Sequence, residues 1–352
     1  MTPTSATDRT PYRTLGRGGA VVFELALGTM TFGAEAHEKT SHAIIDEYVT
    51  GGGNFLDTAD VYSSGRSEEI IGRWLAAHPS EAAQIVLATK ARFPMGAGPN
   101  DLGTSRRHLR TALENSLRRL GVEHIDLYQL HAWDALTPLD ETLGFLDDAI
   151  RQGKIGYYGF SNFTGWQLTK ATMLAERHGW NLPVTLQPQY NLLVRGIEHE
   201  IVPAALDAGL GLLPWSPLGG GWLSGKYVRD VPPTGSTRLG ENPARGMEAW
   251  EQRNANPRTW EIIDAVNGIA RAHDASPSQV ALAWLSAQPA VTSVILGARS
   301  IEQLQDNMGA VHLDLEPAEL ERLTAVSAPQ TDDYPYGEPG VAQRHRKPAG
   351  GR

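Results

Sequence analysis

The sequence has no cysteine among its 352 residues. This absence excludes disulfide bonds, thiolate zinc sites and cysteine nucleophiles together. Long apolar runs are also missing, because the longest, such as Ile85–Ala88 and Leu210–Leu213, are far shorter than the roughly 18 residues that cross a bilayer. The N-terminal segment Met1–Arg13 is polar and lacks the apolar stretch of a secretory signal. We therefore expect a cytoplasmic protein without a membrane partner.

Positive charge is in the minority, with 31 Lys and Arg against 40 Asp and Glu and a formal net charge of −9. Nucleic-acid-binding domains normally carry a basic face, whereas the basic run here, Arg344–Arg352, is short and is predicted to be solvated. We expect no nucleic-acid partner. The composition, 41% hydrophobic and 20% charged, is that of a globular protein with a large core.

Eight short apolar runs end in polar residues and are followed by segments with helical spacing. The runs are Leu25–Gly28, Asn54–Thr58, Ile85–Lys90, Ile125–His131, Ile155–Ser161, Thr185–Gln189, Gly211–Ser216 and Ser293–Gly297. After the second run, Ile70, Ile71 and Trp74 fall on one face of a helix with 3.6 residues per turn. Strands that alternate with helices in this way predict a parallel sheet.

Right-handed crossovers allow an open doubly wound sheet or a closed barrel, and eight repeated units favour the (β/α)8 barrel. We predict one such domain over residues 1–330. A glycine-rich turn at Gly16–Gly19 predicts an N-terminal β-hairpin that closes one end of the barrel. The long segment Tyr227–Pro257 after the seventh strand is predicted to be a functional or mobile loop. Residues 331–352 have little apolar material and are predicted to form a poorly ordered tail.

Active residues of such barrels lie where strands end at the C-terminal face. Asp57 and Tyr62 follow the second strand, Lys90 ends the third and His131 ends the fourth. A nearby ammonium stabilises a phenolate, a carboxylate keeps that ammonium charged, and an imidazole can orient a carbonyl oxygen. Each residue taken singly has an ordinary structural explanation, but their positions on consecutive strands indicate a proton donor for a carbonyl.

Two other motifs are weaker. His37 and His42 are one residue too far apart for the zinc-protease spacing, so we interpret them as part of a helix start and expect no metal site. Gly220–Lys226 matches the beginning of a P-loop, but Tyr227 stands where a magnesium-binding Ser or Thr is needed. A basic residue beside a glycine-rich backbone can still hold a diphosphate.

Over about Tyr12–Ser327 the sequence resembles the aldo-keto reductases. The motifs that carry the resemblance are Asn54–Tyr62, Thr89-Lys90, Gln129–His131, Gly159–Phe163, Gln187 with Tyr190-Asn191, Trp215–Leu218, and Gly297–Arg299 with Gln303 and Asn307. The resemblance implies that Asp57, Tyr62, Lys90 and His131 form a catalytic tetrad, with Tyr62 as the acid. It also implies a nicotinamide cofactor and a small-molecule carbonyl or alcohol substrate.

The resemblance implies further roles for the later motifs. Ser161, Asn162 and Gln187 are expected to bind the nicotinamide carboxamide, Trp215 to stack on the ring, and Lys226 to lie near the pyrophosphate. The full expected cofactor set is Thr29, Met30, Asp57, Ser161, Asn162, Gln187, Trp215, Ser216, Pro217, Leu218, Gly220, Lys226, Arg238, Gly297, Arg299, Gln303, Asp306 and Asn307.

The choice of cofactor depends on Arg299, which can make charge-assisted hydrogen bonds to the 2′-phosphate that only NADP carries. We therefore favour NADPH and leave NADH open, because Asp306 close to the ribose would tolerate it. Substrate contacts are expected from Met30, Phe32, Tyr62, Phe93, His131, Trp133 and Trp222, which indicates an apolar or sugar-stacking pocket. The substrate itself, the physiological direction and the oligomeric state are left open.

The leading hypothesis is a reductase that moves hydride from NADPH to an aldehyde or ketone. The alternative is a redox-sensing interaction subunit with slow turnover, because Trp215 and the long loop are also similar to the β subunits of voltage-gated potassium channels. An isomerase or aldolase on the same barrel is disfavoured, since Lys90 beside Asp57 should remain an ammonium and so be unable to form a Schiff base.

Overall fold

A computed structural model describes residues 10–343 apart from 236 and 245. Its strands are β1 (Tyr12–Thr14), β2 (Val21–Phe23), β3 (Leu25–Gly28), β4 (Phe55–Asp57), β5 (Val86–Ala91), β6 (Ile125–Leu130), β7 (Ile155–Ser161), β8 (Thr185–Gln187), β9 (Gly211–Leu212) and β10 (Val294–Gly297). Strands β3 to β10 make one parallel sheet in the order β10-β3-β4-β5-β6-β7-β8-β9.

Backbone hydrogen bonds join the two ends of this sheet. Leu212 N donates to Ala290 O at 2.7 Å, Thr292 N donates to Leu212 O at 2.9 Å, and Ile295 N donates to Pro214 O at 2.9 Å. These bonds close the sheet into the (β/α)8 barrel that the alternation of strands and helices predicts.

Helices surround the barrel and connect its strands. They are α1 (Glu38–Thr50), α2 (Arg66–Ala77), α3 (Pro79–Ala82), α4 (Arg106–Leu120), α5 (Leu139–Arg151), α6 (Gly165–His178), α7 (Ile201–Asp207), α8 (Arg238–Glu241), α9 (Trp250–Asn254), α10 (Pro257–Ala272), α11 (Pro277–Ser286), α12 (Ile301–Met308), α13 (Pro317–Val326) and α14 (Glu338–Ala342). None of the described helices is both long and apolar enough to cross a membrane.

The core has two layers. The large layer lies between the sheet and the helices, while a smaller cluster fills the barrel interior. Leu15 and Val22, from the antiparallel hairpin β1-β2, belong to this inner cluster together with Phe55 and Leu127. The predicted hairpin is therefore present, and its apolar side chains pack against the inside of the barrel.

Two strands are shorter than predicted. The runs expected at Thr185–Gln189 and Gly211–Ser216 form continuous strands only over Thr185–Gln187 and Gly211–Leu212. Pro188 and Pro214 interrupt them, because proline has no backbone N–H to donate to a neighbouring strand. Beyond the two prolines, Gln189 and Trp215 pair at a single isolated bridge at the rim of the barrel.

The long segment after β9 contains helices α8 and α9 and covers an aromatic cluster of Trp222, Tyr227, Trp250 and Trp260. In the predicted tail, helix α14 lies within the described residues, and the ring of Tyr336 stacks on His199 with centroids 4.8 Å apart. Residues 344–352 lie outside the described part of the chain, so disorder of the tail as a whole stays a prediction.

Candidate active site

Consecutive strands bring the four predicted catalytic residues to one end of the barrel. Asp57 is the last residue of β4, Lys90 lies near the end of β5, and His131 follows β6 directly. Tyr62 begins a short 3-10 turn that connects β4 to α2. Parallel pairing aligns Asp57 with Ala88 and Lys90 with Gln129, so these side chains share one rim.

Lys90 is fully buried and is held by three oxygen atoms. Its Nζ lies 2.5 Å from Asp57 Oδ1, 2.8 Å from the carbonyl oxygen of Thr58 and 3.3 Å from the Tyr62 hydroxyl. Burial lowers the pKa of Lys90, but the charge of Asp57 and the phenol of Tyr62 outweigh this effect, and the net pKa is raised. Lys90 therefore remains an ammonium ion.

Asp57 has partners beyond Lys90. Its Oδ2 accepts hydrogen bonds from Gln187 Nε2 at 2.9 Å and from Gln129 Nε2 at 3.2 Å. No role is assigned from the sequence to Gln129, which lies in the Gln129–His131 motif, and Gln187 is expected only to bind the cofactor. Like the tetrad residues, both glutamines lie near the end of a strand, and this position could have indicated their role beside Asp57. The two amides satisfy a buried carboxylate that would otherwise have one unpartnered oxygen.

The pKa of Tyr62 departs from the expectation that Lys90 makes it a stronger acid. Burial raises the pKa of this phenol above its usual value of 10, and the charge of Lys90 offsets only part of that effect. Tyr62 is thus a neutral phenol in the free protein. Lys90 remains close enough to stabilise a phenolate when the proton leaves.

His131 is buried beside Tyr62, with ring centroids 5.7 Å apart, and its ring also contacts Phe93 at 4.6 Å. Burial and the charges of Lys90 and Arg92 lower the pKa of His131 to about 2. The imidazole is neutral at every physiological pH. Its Nδ1 is buried and has no hydrogen-bond partner among the described residues.

A cavity of about 580 Å³ extends from the tetrad over the rim of the barrel. Tyr62 and His131 line one end, and Lys90 lies beneath the surface. Every residue of the expected cofactor set lines this cavity, and the set is joined there by Thr31, Glu35, Gly221 and Ser224. The structure thus brings the catalytic and cofactor candidates into one continuous space.

Near the tetrad, the side chains are already connected to one another. Trp215 Nε1 donates to Asn162 Oδ1 at 3.0 Å, and Asn162 Nδ2 donates to the carbonyl oxygen of His131 at 3.1 Å. Ser161 Oγ donates to the carbonyl oxygen of Gln187 at 2.9 Å. This network fixes the edge of Trp215 and leaves its ring on the cavity wall.

At the other end of the cavity, three cations lie close together. Burial, followed by the charges of Arg299 and Arg238, lowers the pKa of Lys226. No carboxylate within the described chain lies within 4 Å of Lys226 Nζ. This concentration of positive charge in an acidic protein fits the phosphates of a dinucleotide.

Carboxylates reach the same end from distant segments, which the sequence did not reveal. Glu35 and Glu241 each lie 3.7 Å from the Arg299 guanidinium. Ser216 Oγ donates to the carboxylate of Glu248, whose backbone carbonyl accepts from Trp222 Nε1 at 3.0 Å. The long segment after β9 is thereby fastened to the edge of the cavity.

The expected substrate contacts divide into three groups. Met30, Tyr62 and His131 line the cavity. Phe93 contacts the His131 ring, and Trp133 packs on Phe163 and Trp166. The expectation is wrong for Phe32 and Trp222, which are completely buried. Phe32 packs in the main core and Trp222 stacks on Trp250, so neither side chain can touch a substrate.

The chain is similar to known oxidoreductases along most of its length. A family model for the aldo/keto reductase family matches residues 24–328. Over 323 residues the chain is 39% identical to the uncharacterized oxidoreductase YrpG of Bacillus subtilis. The aligned region covers 90% of this chain and 95% of that protein.

Two further relatives have more specific names. The chain is 35% identical over 319 residues to a probable voltage-gated potassium channel subunit beta of Oryza sativa, covering 90% of this chain and 96% of that protein. It is 30% identical over 342 residues to versiconal hemiacetal acetate reductase of Aspergillus parasiticus. That alignment covers 91% of this chain and 97% of the reductase.

Proposed function

The chain belongs to the aldo/keto reductase family, and we propose from this premise that it reduces an aldehyde or ketone with NADPH, using Tyr62 as the proton donor. Members of this family are NAD(P)H-dependent oxidoreductases. The proposal goes further in naming NADPH as the cofactor and Tyr62 as the acid. One observation carries it: the same cavity is lined by Tyr62 and His131 at one end and by Lys226, Arg238 and Arg299 at the other.

The bound nicotinamide would supply the hydride. The Tyr62 hydroxyl and the neutral His131 imidazole would hold the carbonyl oxygen between them, which orients its carbon toward the ring. As the oxygen gains negative charge, Tyr62 gives it a proton, and the ammonium of Lys90, 3.3 Å away, stabilises the resulting phenolate. Asp57, held by Gln129 and Gln187, keeps Lys90 charged and aimed.

Charge at the far end of the cavity supports NADPH as the cofactor. Arg299 lies at the start of α12, beside Gln303, whose side chain accepts a hydrogen bond from the Arg299 backbone at 3.0 Å. A guanidinium in this position can bind a 2′-phosphate with charge-assisted hydrogen bonds. Glu35 and Glu241 would then have to compete with that phosphate for Arg299.

The most informative experiment is a panel of aldehydes, ketones and alcohols followed through the absorbance of NADPH and NADH. We expect carbonyl-dependent oxidation of NADPH, with slower or weaker use of NADH. Absence of turnover with every carbonyl, in the presence of demonstrated NADPH binding, would contradict the proposal.

The similarity to the rice channel subunit supports a second candidate function, in which the chain is a redox-sensing interaction subunit. Such a protein would bind NADPH tightly, turn over slowly and form a specific oligomer. Single-turnover kinetics combined with light scattering separates the two functions. Steady turnover of a small aldehyde by the isolated chain would set the second function aside.

A further inference from the structure

Arg92 follows the catalytic strand β5 by one residue and has an unusual backbone conformation. Its φ is +149°, a region that side-chain-bearing residues rarely adopt. Its carbonyl oxygen accepts a hydrogen bond from Gly103 N at 2.8 Å, which fastens the loop after β5 back onto the strand end. The loop is also tied internally by Met95 N, which donates to Asp101 O at 2.9 Å. The Arg92 backbone is therefore held at a fixed place beside the tetrad.

The Arg92 side chain lies against the active-site aromatics. Its guanidinium carbon is 5.3 Å from the centre of the Phe93 ring, and Phe93 contacts the ring of His131. The charge of Arg92 also contributes to the lowered pKa of His131, which shows that the two groups are close electrostatically. Arg92 thus places positive charge close to His131, beside the 580 Å³ cavity and not on its wall.

This guanidinium forms no ion pair within the described residues, although its charge contributes to the lowered pKa of nearby Asp134. Within the described residues no carboxylate lies within 4 Å of it, and its buried Nε has no hydrogen-bond partner. The nearby acid, Asp134, has its oxygens engaged by Thr104 N at 2.8 Å, Thr137 Oγ1 at 2.7 Å and Leu136 N at 3.0 Å. A half-buried guanidinium without a partner is costly unless a ligand supplies the missing acceptor.

Two features set this arginine apart from the cations of the cofactor end. Arg299 has Glu35 and Glu241 at 3.7 Å, whereas Arg92 lies against the Phe93 ring and has no described carboxylate within 4 Å. Beyond it, Trp133, Phe163 and Trp166 form a continuous aromatic group, with neighbouring ring centroids 5.2 and 5.4 Å apart. This side of His131 therefore combines one positive charge, without a close ion pair among the described residues, with a group of aromatic rings.

We propose that Arg92 is a specificity-determining residue that binds an anionic group, a carboxylate or phosphate, on the carbonyl substrate. The inference rests on the proposed reductase function and names its substrate class. The substrates would be aldehydes or ketones that have an apolar carbon skeleton and an anionic substituent. Guanidinium geometry suits both anions, because two parallel N–H groups match two oxygens. The substrate anion would satisfy the N–H groups that the protein leaves without an acceptor.

The test compares matched aldehydes with the full-length protein and NADPH. The 2-, 3- and 4-carboxybenzaldehydes carry the charge at three distances from the carbonyl, and their methyl esters are neutral controls. We expect at least one acid to exceed its ester in kcat/KM by about tenfold. Arg92→Met should lower kcat/KM for that acid by at least tenfold and leave its ester within about twofold. Arg92→Lys should recover part of the loss. The corresponding formylphenyl phosphates determine which anion is preferred.

Arg107 provides a matched control, because it is an exposed arginine on α4. Arg107→Met removes the same charge and should change neither substrate. Equal losses for acid and ester in Arg92→Met, with the thermal midpoint unchanged, would overturn anion recognition, and so would no loss for either. Failure of every aldehyde, acid and ester alike, to react in the wild type with NADPH bound would instead overturn the proposed reductase function.

A binding measurement keeps the inference independent of turnover and of folding defects. Benzoate and benzamide are titrated against the NADPH-loaded protein while tryptophan fluorescence is followed. The wild type should bind benzoate more tightly than benzamide, and Arg92→Met should abolish that preference. Equal benzoate affinity in wild type and variant would overturn the inference even if the variant loses activity.

Discussion

The two ends of the cavity hold positive charge in opposite ways. At the tetrad end, Lys90 is fully buried, 2.5 Å from Asp57, and every partner comes from a strand end or the turn beside it. At the cofactor end, Lys226 has no carboxylate within 4 Å in the described chain, and the nearby cations Arg238 and Arg299 lie at the first residue of α8 and just before α12. A buried pair is preorganised for proton transfer, whereas a lysine that has no close carboxylate in the described chain and lies near two arginines is arranged to receive a charged ligand. Substitutions at the tetrad end should therefore reduce turnover and stability, whereas substitutions at the cofactor end should reduce cofactor binding.

The largest expected effect follows removal of the buried cation. Lys90→Met should lower kcat by at least about 100-fold, since the phenolate of Tyr62 loses its stabilising charge. It should also lower the free energy of unfolding by about 3–5 kcal/mol, because Asp57 is left buried without its counter-ion. Urea denaturation and steady-state kinetics measure the two effects.

Lys226→Met is the matched control at the other end. It should weaken NADPH binding and leave the urea midpoint unchanged, because this lysine makes no ion pair with any residue that the structure describes. Equal stability losses in both variants would contradict the contrast between the two ends.

A second buried carboxylate, Asp60, sharpens the contrast between buried charges with and without a counter-ion. Asp60 is fully buried and neither of its oxygens has a hydrogen-bond partner within the described residues. Burial, and then the charge of Glu68, raises the pKa of Asp60 to about 7. The native state therefore holds a proton that the unfolded chain releases above its ordinary pKa near 4, so stability falls as pH rises through about 7.

Asp60→Asn removes this titration. At pH 8 the variant should be more stable than the wild type by about 2–4 kcal/mol, because no buried charge has to form. At pH 4 the two proteins should be equally stable. Thermal or urea unfolding at both pH values checks this, and a gain of the same size at pH 4 would assign the effect to packing instead.

The smallest expected effect concerns cofactor choice. Arg299→Gln should raise the Kd for NADPH by roughly tenfold and leave the Kd for NADH unchanged, because only NADPH carries the 2′-phosphate. Fluorescence titration with both cofactors measures the ratio. Lys226→Met should weaken both cofactors alike, and a parallel loss in Arg299→Gln would remove Arg299 from phosphate recognition.

Much of this architecture could be predicted from local patterns. The alternation of apolar runs and helical segments indicates the barrel, and the strand-end rule selects Asp57, Lys90 and His131 because parallel strands end at one rim. Strand lengths were overestimated where Pro188 and Pro214 stop backbone pairing.

The remaining features depend on contacts between distant segments. Trp222 and Phe32 were expected at the substrate, but an aromatic side chain is as suitable for packing as for binding, and only the tertiary structure decides between them. Glu35 reaches the cofactor end from the loop after β3, and Glu241 and Glu248 reach it from the long segment after β9. The raised pKa of Tyr62 depends on how deeply the phenol is buried, which residue types alone do not determine.

The central claim is that Tyr62 gives a proton to the carbonyl while the rest of the cavity holds the cofactor. Tyr62→Phe keeps the ring and removes only the hydroxyl, so rapid mixing of the NADPH-loaded variant with a good aldehyde tests the claim directly. We predict an unchanged Kd for NADPH and a single-turnover rate lowered by at least about 100-fold. A rate close to that of the wild type would contradict the account.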